Sequence, residues 1–151
     1  MEGLHVFIVE AKAAAYVGGR AAGLSSRAGS HDIAYQRGPW SYLDSYFGGT
    51  DFLGQEVVWF DGNPTWAMNY YGRILDPSVI DGSRAGSVIR TVLPLMYAEG
   101  RFLGSFEHEV GDYRYRDESE GDHCSFTGIE RILTDGRDVY RLDYHGGLIV
   151  P

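Results

Sequence analysis

A single cysteine in 151 residues, Cys124, excludes an internal disulfide and any multi-cysteine zinc motif. No helix start or basic cluster flags a lowered thiol pKa there, so Cys124 reads as a small, half-buried strand residue. Basic residues are scarce as well: 13 Lys and Arg stand against 21 Asp and Glu, for a formal net charge of -8. A phosphate backbone needs a Lys/Arg stripe to release its counterions, and none is present, which argues against direct nucleic-acid binding and against anionic membrane surfaces. No apolar run approaches the ~20 residues that span a bilayer, and Met1 to Glu10 lack a basic leader followed by an apolar stretch, so a cytoplasmic protein is expected. His5, His108 and His123 lack metal-ligand spacing and read as surface residues; neither a metal nor another cofactor is implied. The crowded acids from Glu107 to Asp122 match no calcium loop and are interrupted by Arg114 and Arg116, which favours a solvated strand edge.

What the chain does contain is one pattern written twice. Phe52, Gly54, Glu56, Asp61, Gly62, Tyr70 and Gly72 recur 74 residues later as Phe126, Gly128, Glu130, Asp135, Gly136, Tyr144 and Gly146. Like-for-like pairs fall between them, among them Trp66 with Tyr140, Met68 with Leu142 and Asn69 with Asp143. At an offset of 73, Gly38, Trp40, Tyr42, Asp44 and Gly48 meet Gly111, Tyr113, Tyr115, Asp117 and Gly121. Each half therefore carries three strands, preceded by a helix. Leu4, Phe7, Ile8, Ala11 and Ala15 share one helix face, as do Ala85, Val88, Ile89, Val92 and Leu93. Asp81 or Ser83 offers the second helix its N-cap, Pro94 is expected to stop or kink it near Leu93, and Gly18-Gly19 closes the first. Asp61-Gly62 and Asp135-Gly136 supply the positive φ angles of tight hairpin turns.

The expected fold is α+β: one domain spanning 1–151, built from two tandem αβββ units at about 1–75 and 82–151. The units form a twisted antiparallel sheet with both helices packed on one side.

Aromatic residues make up 14% of the chain and concentrate on the expected strands. Strand alternation puts Trp66, Met68 and Tyr70 on one face, which reads as core, and Asn69 and Tyr71 on the other. In the second half Asp143 and His145 share that other face, so a pseudo-twofold axis would bring polar groups of both halves together at a seam. Asp44 alternates with Trp40, Tyr42 and Tyr46, placing a carboxylate among three rings. An aromatic cleft holding carboxylates suits a cationic, partly apolar small molecule.

The segment from Leu24 to Tyr35 gathers hydroxyls, Arg27, His31 and Asp32 around Gly29 and reads as a loop. Ser30-His31-Asp32 contains the three residue types of a hydrolytic triad, but sequence neighbours rarely point together. Anion contact by Arg27 and the hydroxyls is one use for this loop; an Asx or Ser turn that ties it to the sheet is the favoured one.

Ser25-Ser26-Arg27-x-Gly29-Ser30-x-Asp32, Tyr42-x-Asp44-x-Tyr46-x-Gly48-Gly49, Glu56-Val57-Val58-Trp59, Trp66-Ala67-Met68-Asn69-Tyr70-Tyr71-Gly72-Arg73 and Tyr144-His145-Gly146-Gly147-Leu148-Ile149 resemble a bacterial family of uncharacterised domains. Members of that family stand alone or follow a helix-turn-helix domain. Ala28 stands where the family pattern has proline, and no helix-turn-helix segment precedes the domain here. The resemblance implies a domain that can be attached to a transcriptional regulator, a setting in which effector sensing is common.

The reading that unites these features is a sensor-like module that binds a small cationic or aromatic ligand in an aromatic-acidic cleft between the two repeats. Its candidate contacts are Arg27, Ser30, Asp44, Tyr46, Glu56, Trp66, Asn69, Tyr71 and His145. No residue is assigned a catalytic role. The alternatives are a small-substrate hydrolase with Glu56 or His145 as general base, and a protein-interaction or dimerisation domain, with a homodimer or a regulator as partner.

Overall fold

The computed structural model describes residues 2–17 and 25–151. Helix α1 (Leu4–Val17) is followed by strands β1 (His31–Arg37), β2 (Trp40–Gly48), β3 (Phe52–Phe60) and β4 (Asn63–Ile74). Helix α2 (Gly82–Ala98) then leads into β5 (Phe106–Val110), β6 (Tyr113–Asp122), β7 (Ser125–Thr134) and β8 (Arg137–Leu148). The strands form one antiparallel sheet in the order β1-β2-β3-β4-β8-β7-β6-β5. This is an α+β fold with an open sheet, and the order reads the same outward from the β4–β8 seam in both directions.

Each half holds four strands, not the expected three. The additional pair, β1 and β5, are the two edges. The segment from Leu24 to Tyr35 reads as a loop in the sequence, yet from His31 onward it belongs to a strand that pairs with β2, from His31 opposite Tyr46 to Arg37 opposite Trp40. An edge strand is half solvated on both faces and needs no strict alternation; here the burial pattern is mixed.

The hairpin turns are as expected. Asp61 and Gly62 take φ of 47° and 78°, and Asp135 and Gly136 take 48° and 72°, the doubly left-handed geometry that matches strand twist. A register shift follows Val58 in the first half and Ile132 in the second, again 74 residues apart. At the seam Tyr70 lies opposite Tyr144, with Asn69 opposite His145 and Tyr71 opposite Asp143.

Both helices cover one face of the sheet. Leu4, Phe7, Ile8 and Ala11 of α1 and Ala85, Val88, Ile89, Val92 and Leu93 of α2 are buried, as the spacing predicts. They pack on Tyr42, Val58, Trp66, Met68, Tyr115, Ile132, Tyr140 and Tyr144 from the strands. Asp81 caps α2, accepting the Arg84 backbone N–H at 2.7 Å. Pro94 does not stop the helix, which runs on to Ala98. Losing one backbone bond costs about 3 kcal/mol, and burying Met96 and Tyr97 beyond the proline, at ~1.5–3 kcal/mol for a large side chain, offsets it. The Gly18-Gly19 closure of α1 lies outside the described residues. Among those residues, no helix is long and apolar enough to cross a membrane.

Cys124 is exposed in the turn between β6 and β7 rather than half-buried in a strand. Asp122 Oδ1 accepts its backbone N–H at 2.8 Å, an Asx turn that reverses the chain there.

Candidate functional site

A cavity of about 860 Å³ lies between the helices and the covered face of the sheet. Four carboxylates line it: Asp44, Glu56, Asp117 and Glu130. They come from two cross-strand pairs, Asp44 opposite Glu56 on β2 and β3 and Asp117 opposite Glu130 on β6 and β7. Strand alternation holds each pair on the helix side, and the two pairs flank the seam symmetrically.

Tyrosines from the seam strands serve both aspartates. The Tyr70 hydroxyl donates to Asp44 Oδ1 at 2.5 Å, and the Tyr144 hydroxyl to Asp117 Oδ1 at 2.6 Å. Each ring leaves a seam strand, crosses the neighbouring strand and meets a carboxylate two strands away. The crossing is possible because Gly54 and Gly128 stand beneath the rings, where any Cβ would overlap a tyrosine side chain. That is the physical reason for these two glycines in the repeated pattern.

The glutamates differ. Glu130 accepts the Tyr115 hydroxyl at 2.6 Å and the Tyr140 hydroxyl at 3.1 Å. Glu56 instead meets Lys12 of α1, whose Nζ donates to Oε1 at 2.8 Å and lies 2.6 Å from Oε2, where it is not aligned for a hydrogen bond. Lys12 is the chain's only lysine and is 4% exposed. Its ammonium also lies 5.5 Å from the centre of the Phe102 ring.

Burial dominates the electrostatics. Desolvation, then the Glu56 charge, pushes Asp44 up to about 7 against the Tyr70 hydrogen bond and the Lys12 charge. Desolvation likewise pushes Asp117 up to about 7, with the Tyr144 bond opposing it and Glu130 adding to it. Glu130 is also raised by burial, against the bonds from Tyr115 and Tyr140. Lys12 opposes the rise at Asp44, Asp117 and Glu130, so one ammonium acts on both halves of the cavity. Two aspartates poised near neutral pH can accept a cation or exchange a proton.

Of the residues expected from the sequence, Asp44, Tyr46 and Glu56 line this cavity. Trp66 faces the same side but is fully buried in the core, where its indole N–H donates to the His123 carbonyl at 2.9 Å. Asn69, Tyr71 and His145 come together at the seam but on the opposite, uncovered face, with Asn69 Nδ2 3.4 Å from His145 Nε2. Arg27 and Ser30 are also separate from the cavity. The Arg27 guanidinium donates to the Ser45 carbonyl at 2.6 Å and lies over the Phe47 ring, and Ser30 Oγ donates to Asp32 at 2.9 Å. Burial works against the Asp32 charge, but bonds from Ser26, Ser45 and Ser30 hold its carboxyl well below the usual range. This cluster ties the loop to the sheet.

Lys12, Asp117 and Glu130 were not among the expected contacts. Two signals point to them: Lys12 follows Ile8 by four residues on an apolar helix face, and Asp117 and Glu130 repeat Asp44 and Glu56. Among the described residues, the three metal-ligand types that approach within 4.8 Å are Asp122, His123 and Cys124, consecutive at the β6–β7 turn and not in the cavity.

Residues 44–149 match the family model described as "Domain of unknown function (DUF5680)", and the chain belongs to that family. No curated protein and no solved structure matches it.

Proposed function

We propose that this chain is a ligand-binding module that takes a small organic cation into the cavity between the helices and the sheet. The observation that carries the reading is the lining itself: four carboxylates and several aromatic rings, with Lys12 the one buried cation among the described lining residues. Carboxylates and ring faces attract positive charge together, and the attraction strengthens where water is excluded. Asp44 and Asp117 supply the charge, while Tyr46, Phe52, Tyr70 and Tyr97 supply the aromatic wall. With 13 basic against 21 acidic residues, such a module would act on gene expression through a partner, which fits a cytoplasmic, sensor-like role beside a regulator.

The reading is tested by thermal shift of the purified protein against tetraphenylphosphonium, a neutral aromatic of similar size and an aromatic sulfonate. At 100 times its dissociation constant a bound ligand stabilises by about 2.7 kcal/mol. Stabilisation by the cation alone, reduced in Asp44→Asn, is expected; stabilisation by the sulfonate alone would overturn the proposal. As a general base, Glu56 would have to act while bound to Lys12, and His145 would have to act on the other face of the sheet. The uncovered face supports a second reading as a contact surface: Leu53 and Tyr71 are cross-strand neighbours left 54% and 42% exposed. A lower mass in solution for Tyr71→Glu than for the unaltered chain would favour it.

A further inference from the structure

The cavity has two anionic stations, not one. Asp44 with Tyr70 and Asp117 with Tyr144 occupy repeat-related positions, one on each side of the β4–β8 seam. The crossing tyrosines place their hydroxyls over β3 and β7, because the overlap a Cβ would make falls at Gly54 and Gly128. Those strands are three inter-strand steps apart, about 14 Å along the sheet at ~4.8 Å per step. The aspartates lie beyond them, on β2 and β6. A single ammonium makes contacts of about 3 Å and cannot serve both stations.

The charges differ in how they are met. Glu56 has Lys12, and Glu130 has two tyrosine hydroxyls. Among the described residues, Asp44 and Asp117 make no ion pair; hydroxyl groups meet them, and these bring no charge. Between the stations the cavity wall is mixed: Glu56, held by Lys12, and Glu130 lie beside apolar side chains, and the Lys12 ammonium stands 3.9 Å from Met68 Sδ. Met68 and Leu142, another repeat-related pair, stand on the two seam strands, with Ile89 and Leu93 of α2 also in the wall.

Resting on the organic-cation reading above, we propose that the ligand carries two positive centres joined by an apolar spacer, one received at Asp44 with Tyr70 and the other at Asp117 with Tyr144. The chemical class is a diamine or bis-quaternary ammonium of extended form. The spacer lies along Met68 and Leu142 beneath α2, and Lys12 remains paired with Glu56.

Isothermal titration calorimetry with decamethonium, hexamethonium and decyltrimethylammonium tests this. The first and third share a ten-carbon chain and differ in the second charge; the first and second share two charges and differ in spacing. Decamethonium is expected to bind one to one and at least tenfold more tightly than either of the others. Asp44→Asn and Asp117→Asn should each bring it down to the level of decyltrimethylammonium. A melting curve by circular dichroism establishes that each variant folds, and Tyr144→Phe replaces Asp117→Asn if that variant does not. Equal affinity for decamethonium and decyltrimethylammonium, or no loss in Asp117→Asn, would overturn the two-centre proposal and leave the cation reading standing. If no cation binds, neither survives.

Discussion

The Asp44–Glu56 pair of the first half and the Asp117–Glu130 pair of the second occupy corresponding strands, the same face and the same number of strands from the seam, yet their glutamates are held by different means. In the second half Glu130 is held by hydroxyls from Tyr115 and Tyr140. The first half has Trp66 where the second has Tyr140, and the Trp66 indole N–H is directed away from the cavity, to the His123 carbonyl. A tryptophan at that position takes one donor away from the glutamate, and the chain supplies Lys12 from α1 instead. An ion pair needs its partner to remain; a carboxyl held by neutral donors can take up a proton and keep its neighbours. The Lys12–Glu56 ion pair is thus the fixed contact of the first half, whereas Glu130 of the second half is held by neutral donors alone.

The largest way to break this asymmetry is Lys12→Met, which leaves Glu56 buried without a counter-charge. Chemical denaturation should show a loss of about 3–5 kcal/mol, with most of it recovered in the double variant Lys12→Met, Glu56→Gln. Gly128→Ala comes next: its methyl would overlap the Tyr144 ring, and a loss of about 1–3 kcal/mol is expected, with a comparable loss for Gly54→Ala beneath Tyr70. Removing a hydroxyl is gentler. Tyr140→Phe should cost about 0.5–1.5 kcal/mol and push Glu130 further up, because one of its two donors is gone, as a titration followed by carboxyl NMR would show.

The pH dependence sharpens the comparison further. Asp44 and Asp117 rise from 3.8 in an unstructured chain to about 7 when folded, so between those values the folded state holds protons that the unfolded state has released. Their contribution is fully present below about 4 and is lost as pH rises through 7. The thermal midpoint should therefore fall from about pH 5 to about pH 8. Asp117→Asn should flatten that slope, and a slope unchanged in both Asp44→Asn and Asp117→Asn would contradict the assignment. The smallest effect belongs to the uncovered face: Asn69→Ala should stay within about 0.5 kcal/mol of the unaltered protein and leave cation binding unchanged.

Much of the architecture was legible because it is written in local chemistry. Asp-Gly pairs demand left-handed φ, and the three-and-four spacing of Val88, Ile89 and Val92 describes a buried helix face. The edge strands were not legible, since β1 and β5 bury too little to impose alternation. That the helix would continue past Pro94 was not legible, because side-chain burial on the following turn outweighs a single missing backbone bond. For the site, alternation sorted Asp44 from Asn69, but no local rule says which face of a sheet the helices will cover with space to spare. Asp117 was hidden by its company: six other acids from Glu107 to Asp122 suggested solvent, whereas alternation along β6 turns Asp117 inward, where it is 4% exposed. Lys12 was hidden for the opposite reason, being a lone charge on an apolar face.

The open sheet ends in two edge strands, and each is blunted differently. Along β5, Glu107 and Glu109 pair with Arg116 and Arg114 of the adjacent strand, so an approaching chain would have to desolvate a row of fixed charges. Along β1, Glu10 of α1 accepts the Tyr35 hydroxyl and pairs with Arg37 at 3.0 Å, while Ser26 and Ser30 bond to Asp32. Both borders are therefore poor templates for strand addition, which guards the chain against edge-to-edge polymerisation.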